Sequence, residues 1–264
     1  MRSGGKLILI DPTAIIDSKA ELADDVSVGP FSVIGPGVKI GKGTVIGSHV
    51  VIKGPTSIGK HNRIYQFTSI GEDPQDKKYA AEITRLEIGD RNTIREYTSM
   101  HRGTKQDRSL TKIGSDNLFM AYTHVAHDCI IGNHVIMANG ASLAGHVHLH
   151  SHAILGGFTL VHQFTQIGQY SFAAMGSAIT QDIPPFVMVG GKPTRPHGIN
   201  SVGMERNGIS PEDIRLIRKA YKIIYKTNLR LEDAIEKMED LAGESKELSD
   251  MVSFLRNVNR GILR

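Results

Sequence analysis

Imidazole changes charge near neutral pH, which suits it to proton transfer, to metal ligation or simply to polar filling of turns. The chain has twelve histidines, and most of them fall in one stretch: His124, His127, His134, His146, His148, His150, His152 and His162. Counting by 18 sorts them, because His127, Gly145 and Gln163 share one phase while His124, His146 and His162 lie close to it. Asp128 follows His127, a pairing in which a carboxylate would orient a basic ring. Successive strand side chains point to opposite faces, so that pairing requires a turn at this point. Cys129 is the one cysteine; it excludes an intramolecular disulfide and any multi-cysteine metal motif, and it fits a reducing compartment.

The elements that must position these residues follow a period of six. From Ile16 the sixth positions are Leu22, Val28, Ile34, Ile40, Ile46, Ile52, Ile58, Ile64 and Ile70. The frame breaks after Gly71, returns at Ile88 and Ile94, and breaks again after Met100. It then runs from Ile113 through Phe119, Val125, Ile131, Met137, Leu143, Leu149, Leu155, Val161, Ile167 and Ala173 to Ile179. The position four beyond each aliphatic residue is mostly small or β-branched, as at Val26, Ser32, Val38, Thr44, Val50 and Thr56. Period six is neither the 3.6 of an amphipathic helix nor the two of a hairpin strand. It fits a triangular coil of three short strands, stacked in parallel at roughly 4.8 Å with aliphatic residues inward. Large aromatics have little room inside such a coil. The two breaks read as loops extruded near 72–87 and 101–112, where solenoids commonly carry function.

This repeat resembles the hexapeptide acyltransferases, which implies a mainly β fold: a left-handed parallel β-helix (the hexapeptide-repeat prism), an exception to the usual right-handed crossover, followed by a small C-terminal α-helical domain. Within that superfamily the chain is most similar to the UDP-N-acetylglucosamine acyltransferases of lipid A biosynthesis. The residues that carry the likeness include Ile64-Tyr65-Gln66-Phe67, Gln75-Asp76-Lys77-Lys78-Tyr79, His101-Arg102-Gly103-Thr104, Gly114-Ser115-Asp116-Asn117, Ala126-His127-Asp128-Cys129, Leu143-Ala144-Gly145-His146, Val161-His162-Gln163-Phe164 and Arg260-Gly261-Ile262-Leu263-Arg264. They span essentially the whole sequence.

The resemblance implies transfer of an (R)-3-hydroxyacyl chain from acyl carrier protein to the glucosamine 3-hydroxyl of UDP-N-acetylglucosamine. His127 would be the general base, taking an alkanol proton and returning it to the leaving thiolate. Gly145 would offer its backbone N–H to the oxyanion, glycine leaving the approach open, and Asp128 would accompany the base. Nucleotide-sugar binding would fall to Asp76 and Lys78 in the first loop, to His124, His146, His162 and Gln163, and to Asn200 and Arg206, whose guanidinium suits a diphosphate. Val202 stands where relatives commonly carry glutamate. Met175, 18 beyond Gly157, would floor the acyl groove; a side chain there displaces several methylenes, so the expected acyl chain is short, about ten carbons.

Residues 1–195 thus read as the β-helix domain and 196–264 as the helical domain. Ser210-Pro211-Glu212-Asp213 is a helix start, with Ser as N-cap and Pro at the first position, and further helices are expected over 231–241 and 246–258. Arg215, Arg218, Lys219 and Lys222, with Lys226, make a basic face that would dock an acidic acyl carrier protein. The resemblance also implies a homotrimer, with exposed prism faces and catalytic elements contributed across a cleft. A formal charge of +4 over 264 residues gives no warrant for nucleic acid, and the apolar run Leu7 to Ile10 is too short for a signal core or a transmembrane segment. A cytoplasmic enzyme of Gram-negative type is expected. No metal or organic cofactor is demanded. The rival readings are a γ-type carbonic anhydrase, which would hold zinc through three histidines on the same prism, and a non-catalytic scaffold.

Overall fold

Two-residue strands are too short to stand alone, and here they survive by stacking. In the computed structural model, which describes residues 10–243, 245–258 and 260–264, the chain packs as two compact units, Met1–Cys129 and Ile130–Arg264. The apolar run at residues 7–10 lies, apart from Ile10, outside the described residues.

The first unit is a parallel β-helix with three faces. Every sixth aliphatic residue enters an inner column, and the columns follow the strand register. On one face Ile16, Ile34, Ile52, Ile70, Met100 and Val125 are successive partners. Leu22, Ile40, Ile58, Ile88 and Ile113 make the second, and Val28, Ile46, Ile64, Ile94 and Phe119 the third. Nearly all are buried. Phe119 is the one aromatic in these columns, so the expectation of a narrow interior holds except there. The breaks in frame are the segments 73–84 and 102–109, between the strands Ser69–Glu72 and Arg85–Ile88 and between Ser99–His101 and Leu110–Ile113.

Each coil must turn three corners, and the left-handed backbone region does this in one residue. Corner residues with φ near +60° include Phe31, His49, Phe67, Tyr97 and Tyr122 along one edge. Their rings form a ladder with centroids 4.7–5.2 Å apart. Stacking between rungs helps offset the conformational cost that L-residues meet there. A second column, of asparagines, is buried. The Asn62 side-chain oxygen accepts from the Asn92 backbone N–H at 2.9 Å and from its amide at 3.0 Å, and Asn92 accepts in turn from the Asn117 N–H at 3.0 Å.

The second unit continues the same rule. Leu143, Val161 and Ile179 pair in one column, Ile131, Leu149 and Ile167 in another, and Met137, Leu155, Ala173 and Val189 in the third. An antiparallel pair, Val187–Gly190 with Arg195–Ile199, ends the coil. Among the described residues four helices follow: α1 (Ser201–Arg206), α2 (Pro211–Lys226), α3 (Leu231–Ala242) and α4 (Lys246–Arg256). The start of α2 is the expected one, Ser210 accepting from the Asp213 N–H at 3.0 Å. Ser245 caps α4 and also donates to Asp213 at 2.6 Å, so one carboxylate ties two helix starts. Helix α4 stops at Arg256, two residues before the expected end. Helix α1, too short to show a period, was not anticipated.

Candidate active site

Asp128 occupies a corner, with φ of 59°. That turn supplies what strand alternation denies: His127 Nδ1 lies 2.9 Å from Asp128 Oδ2. A carboxylate only accepts, so Nδ1 carries a proton in this pair. Asp128 is buried to 1% exposure, and its oxygens are held from the far side by Thr104. The Thr104 backbone N–H donates to both, at 2.9 and 3.0 Å, and its hydroxyl donates to Oδ2 at 2.6 Å. The Asp128 N–H donates to Thr111 Oγ1 at 2.8 Å.

His124 stands one turn earlier, in the strand His124–Val125, and shares a 2.8 Å hydrogen bond between its Nδ1 and Ser99 Oγ. Its ring meets the edge of His101 at 5.0 Å. Burial, with the nearby His127 ring, pushes His124 below its ordinary pKa. His101 is more extreme: desolvation first, then His124, lower it to about 4. The next residue, Arg102, is buried and donates to the Gly71 carbonyl, the Asp73 carboxylate and, at 3.1 Å, the Tyr79 hydroxyl. It thereby fastens the roots of both extruded loops. Asp76 and Lys78 lie in the first loop; Asp76 Oδ1 accepts from the Lys78 backbone N–H at 2.9 Å, and the Lys78 side chain is exposed.

In the second unit the register Leu143↔Val161 sets Gly145 beside Gln163 on adjacent coils, and the Gly145 carbonyl accepts from the Phe164 N–H at 3.2 Å. His146 is a corner residue stacked on Phe164 at 4.3 Å. His162 is exposed, with Nδ1 3.0 Å from the Gln163 carbonyl. His134 and His152 fill corners in the stack His134, His152, Tyr170 and Phe186, the turn-filling use. The register Leu155↔Ala173 puts Met175 over Gly157. At 78% exposure Met175 fills no interior space, and exposed Phe158 adjoins that corner. Asn200 caps α1, its Oδ1 accepting from Gly203 N at 3.0 Å and its Nδ2 donating to the Tyr170 carbonyl at 2.9 Å. Arg206, at the end of that helix, is exposed, as are Arg215, Arg218, Lys219 and Lys222 along one side of α2.

Sequence reasoning missed Thr104, Arg102 and His101. The His101-Arg102-Gly103-Thr104 motif was visible, but the contact from Thr104 to Asp128 closes across 24 residues through a loop with no periodicity. A cavity of about 340 Å³ where α4 meets the last coils, lined by His150, Gln166, Gln169, Asp250, Phe254 and Asn257, contains none of the candidate catalytic residues.

Comparison with known proteins spans the chain. The family described as UDP N-acetylglucosamine O-acyltransferase, domain 2, matches residues 182–263, and the bacterial transferase hexapeptide repeat matches 19–54 and 110–145. Proteins of Halorhodospira halophila and Alkalilimnicola ehrlichii, both named acyl-[acyl-carrier-protein]–UDP-N-acetylglucosamine O-acyltransferase, are 56% and 55% identical over 97% of this chain and 99% of their own. The solved UDP-N-acetylglucosamine acyltransferase of Francisella novicida is 40% identical, covering 97% of this chain and 94% of its own, with a TM-score of 0.95. The corresponding Arabidopsis structure is 32% identical with a TM-score of 0.82, covering 97% and 100%.

Proposed function

The chain belongs to the acyl-[acyl-carrier-protein]–UDP-N-acetylglucosamine O-acyltransferase family, and on that premise we propose that it moves an (R)-3-hydroxyacyl group of about ten carbons to the glucosamine 3-hydroxyl of UDP-N-acetylglucosamine, opening lipid A synthesis in the cytoplasm. It is an O-acyltransferase of this family by identity along nearly its whole length. The finer assignments are our reading.

In that reading His127 Nε2 takes the proton of the 3-hydroxyl as its oxygen attacks the thioester carbonyl. The oxyanion receives the Gly145 N–H. When the C–S bond breaks, the departing thiolate takes the proton back from His127, leaving the ester and the free carrier thiol. Asp128 holds the ring and offsets the charge of the transient imidazolium. The observation that carries this reading is the hydrogen bond from His127 Nδ1 to Asp128, which occupies Nδ1 and assigns the proton transfer to Nε2. Asp76, Lys78, His124, His146, His162, Gln163 and Arg206 bind the nucleotide sugar, and Asn200 contributes through the helix that carries Arg206. Met175 with Gly157 limits the acyl chain; the exposed Met175 thioether and the neighbouring Phe158 ring support an apolar groove there. Acyl transfer belongs to residues 1–195 and docking of the acidic carrier to the basic face of α2 within 196–264. The working unit is a homotrimer, supported by the exposed aromatic edge of the first unit. No helix among the described residues is long and apolar enough to cross a membrane.

The test is transfer from 3-hydroxyacyl carrier proteins of graded length to UDP-N-acetylglucosamine, by the parent protein and by His127→Ala. Transfer that peaks near ten carbons and falls by about 10²- to 10⁴-fold in the variant is expected. No transfer at any length, with stoichiometric zinc by elemental analysis, would replace this reading with the carbonic anhydrase one.

A further inference from the structure

Catalysis by an imidazole depends on how firmly its ring is aimed, and here the aim is set from outside the repeat. We propose that Thr104 is a positioning residue for the reaction, acting through Asp128 on His127; the proposal rests on the assignment of His127 as base. Thr104 is fully buried and sits in the 102–109 segment, not in a coil. It places two donors on the carboxylate, the backbone N–H bridging both oxygens and the hydroxyl meeting Oδ2 at 2.6 Å. Oδ2 is also the atom that receives His127 Nδ1.

Those contacts fix the carboxylate about its own torsion. A carboxylate has two oxygens and can swing; with Thr104 holding one edge, Oδ2 stays where the ring N–H must point. The segment that carries Thr104 is itself fastened, because the Gly103 N–H donates to the Arg85 carbonyl at 3.1 Å and the Arg102 N–H to the Glu72 carbonyl at 3.1 Å. The Arg102 guanidinium adds bonds to Gly71, Asp73 and Tyr79. The first extruded loop, with Asp76 and Lys78, begins at the same place. The arrangement therefore makes the direction of Nε2 depend on a loop that the repeat does not determine. Thr104 touches no reacting atom in this scheme. Its effect should appear in turnover and leave sugar binding alone.

The experiment compares Thr104→Val and Thr104→Ser in the parent and in Asp128→Asn, with His127→Ala alongside, each checked for parental melting. Thr104→Val keeps the shape and the backbone donor but lacks the hydroxyl; Thr104→Ser restores it. Expected is a roughly ten- to hundredfold fall in kcat for Thr104→Val with KM for UDP-N-acetylglucosamine within about twofold, recovery to within about threefold in Thr104→Ser, and little further loss when Thr104→Val is added to Asp128→Asn. Equal losses in the two backgrounds, a loss that serine does not recover, or a loss confined to KM would each overturn the proposal. If Thr104→Val melts early, Thr104→Ser and Thr104→Ala decide on the same criteria. Parental turnover by His127→Ala would instead sink the base assignment itself, and the role of Thr104 with it.

Discussion

At the scale of single residues, burial decides how the histidines behave. His101 is 4% exposed and its pKa is lowered to about 4, mainly by desolvation. Its unfolded value is near 6.5, so between those values the unfolded chain binds the extra proton and the folded chain refuses it. Stability contributed by the neutral ring is present above pH 6.5 and is lost as pH falls toward 4, on the order of 3 kcal/mol in all. The urea midpoint should drop between pH 7 and pH 5, and His101→Gln should flatten part of that drop; an unchanged slope would contradict the burial argument. Met175 makes a second prediction. Removing its side chain in Met175→Gly opens room for several methylenes, each worth about 0.8 kcal/mol when buried, so the preferred acyl chain should lengthen in a graded-length assay. An unaltered ranking of donors would dismiss it as the limit on length. At this scale the sequence was legible where the chemistry is local. Asp128 beside His127 could be read, but the 59° turn that joins them could not, because a non-glycine residue with positive φ leaves no mark in composition.

At the scale of elements, the coil was the most legible part of the chain. A six-residue period of aliphatic residues is imposed by the inner columns, and the structure pairs them in the order the spacing predicts, Ile34 on Ile52 on Ile70. The start of α2 was equally plain, since Ser210 and Pro211 are chosen by the geometry of a helix end. Helix α1 was not, because six residues that include Gly203 show no apolar stripe and its cap, Asn200, serves as easily in a loop. Helix α2 buries Ile214, Ile217, Ala220, Tyr221 and Ile224 and turns its cations to solvent. If that face receives the acidic carrier, Arg218→Glu with Lys222→Glu should raise KM for the acyl carrier protein about tenfold or more while KM for UDP-N-acetylglucosamine stays put. The parent's KM for the carrier should also rise with salt. Equal salt effects on both substrates would remove α2 from the docking surface.

At the scale of the whole molecule, one feature asks for copies of the chain to meet. The edge bearing Phe31, Phe67, Tyr97 and Tyr122 leaves each ring about half exposed, and a row of exposed rings is the kind of surface that marks a protein–protein contact. Light scattering should give three times the 28.8 kDa chain mass. Phe67→Ala with Tyr97→Ala should shift the distribution toward the single chain at low concentration, and an unshifted trimer would mean that the contact lies elsewhere. The asparagine column of the first unit matters differently, for how a monotonous chain reaches one arrangement. Rungs that all offer an aliphatic group to the centre are nearly indifferent to slipping past one another, since methyl meets methyl in every setting. Asn62, Asn92 and Asn117 are not indifferent. Asn62 meets Asn92, and Asn92 meets the Asn117 backbone N–H, only when the two long rungs, 30 and 25 residues around, are seated in order, and a slipped stack would strand a buried amide at a cost of about 1–3 kcal/mol. The three side chains act as a check digit, letting a repetitive text be copied into space without losing its place.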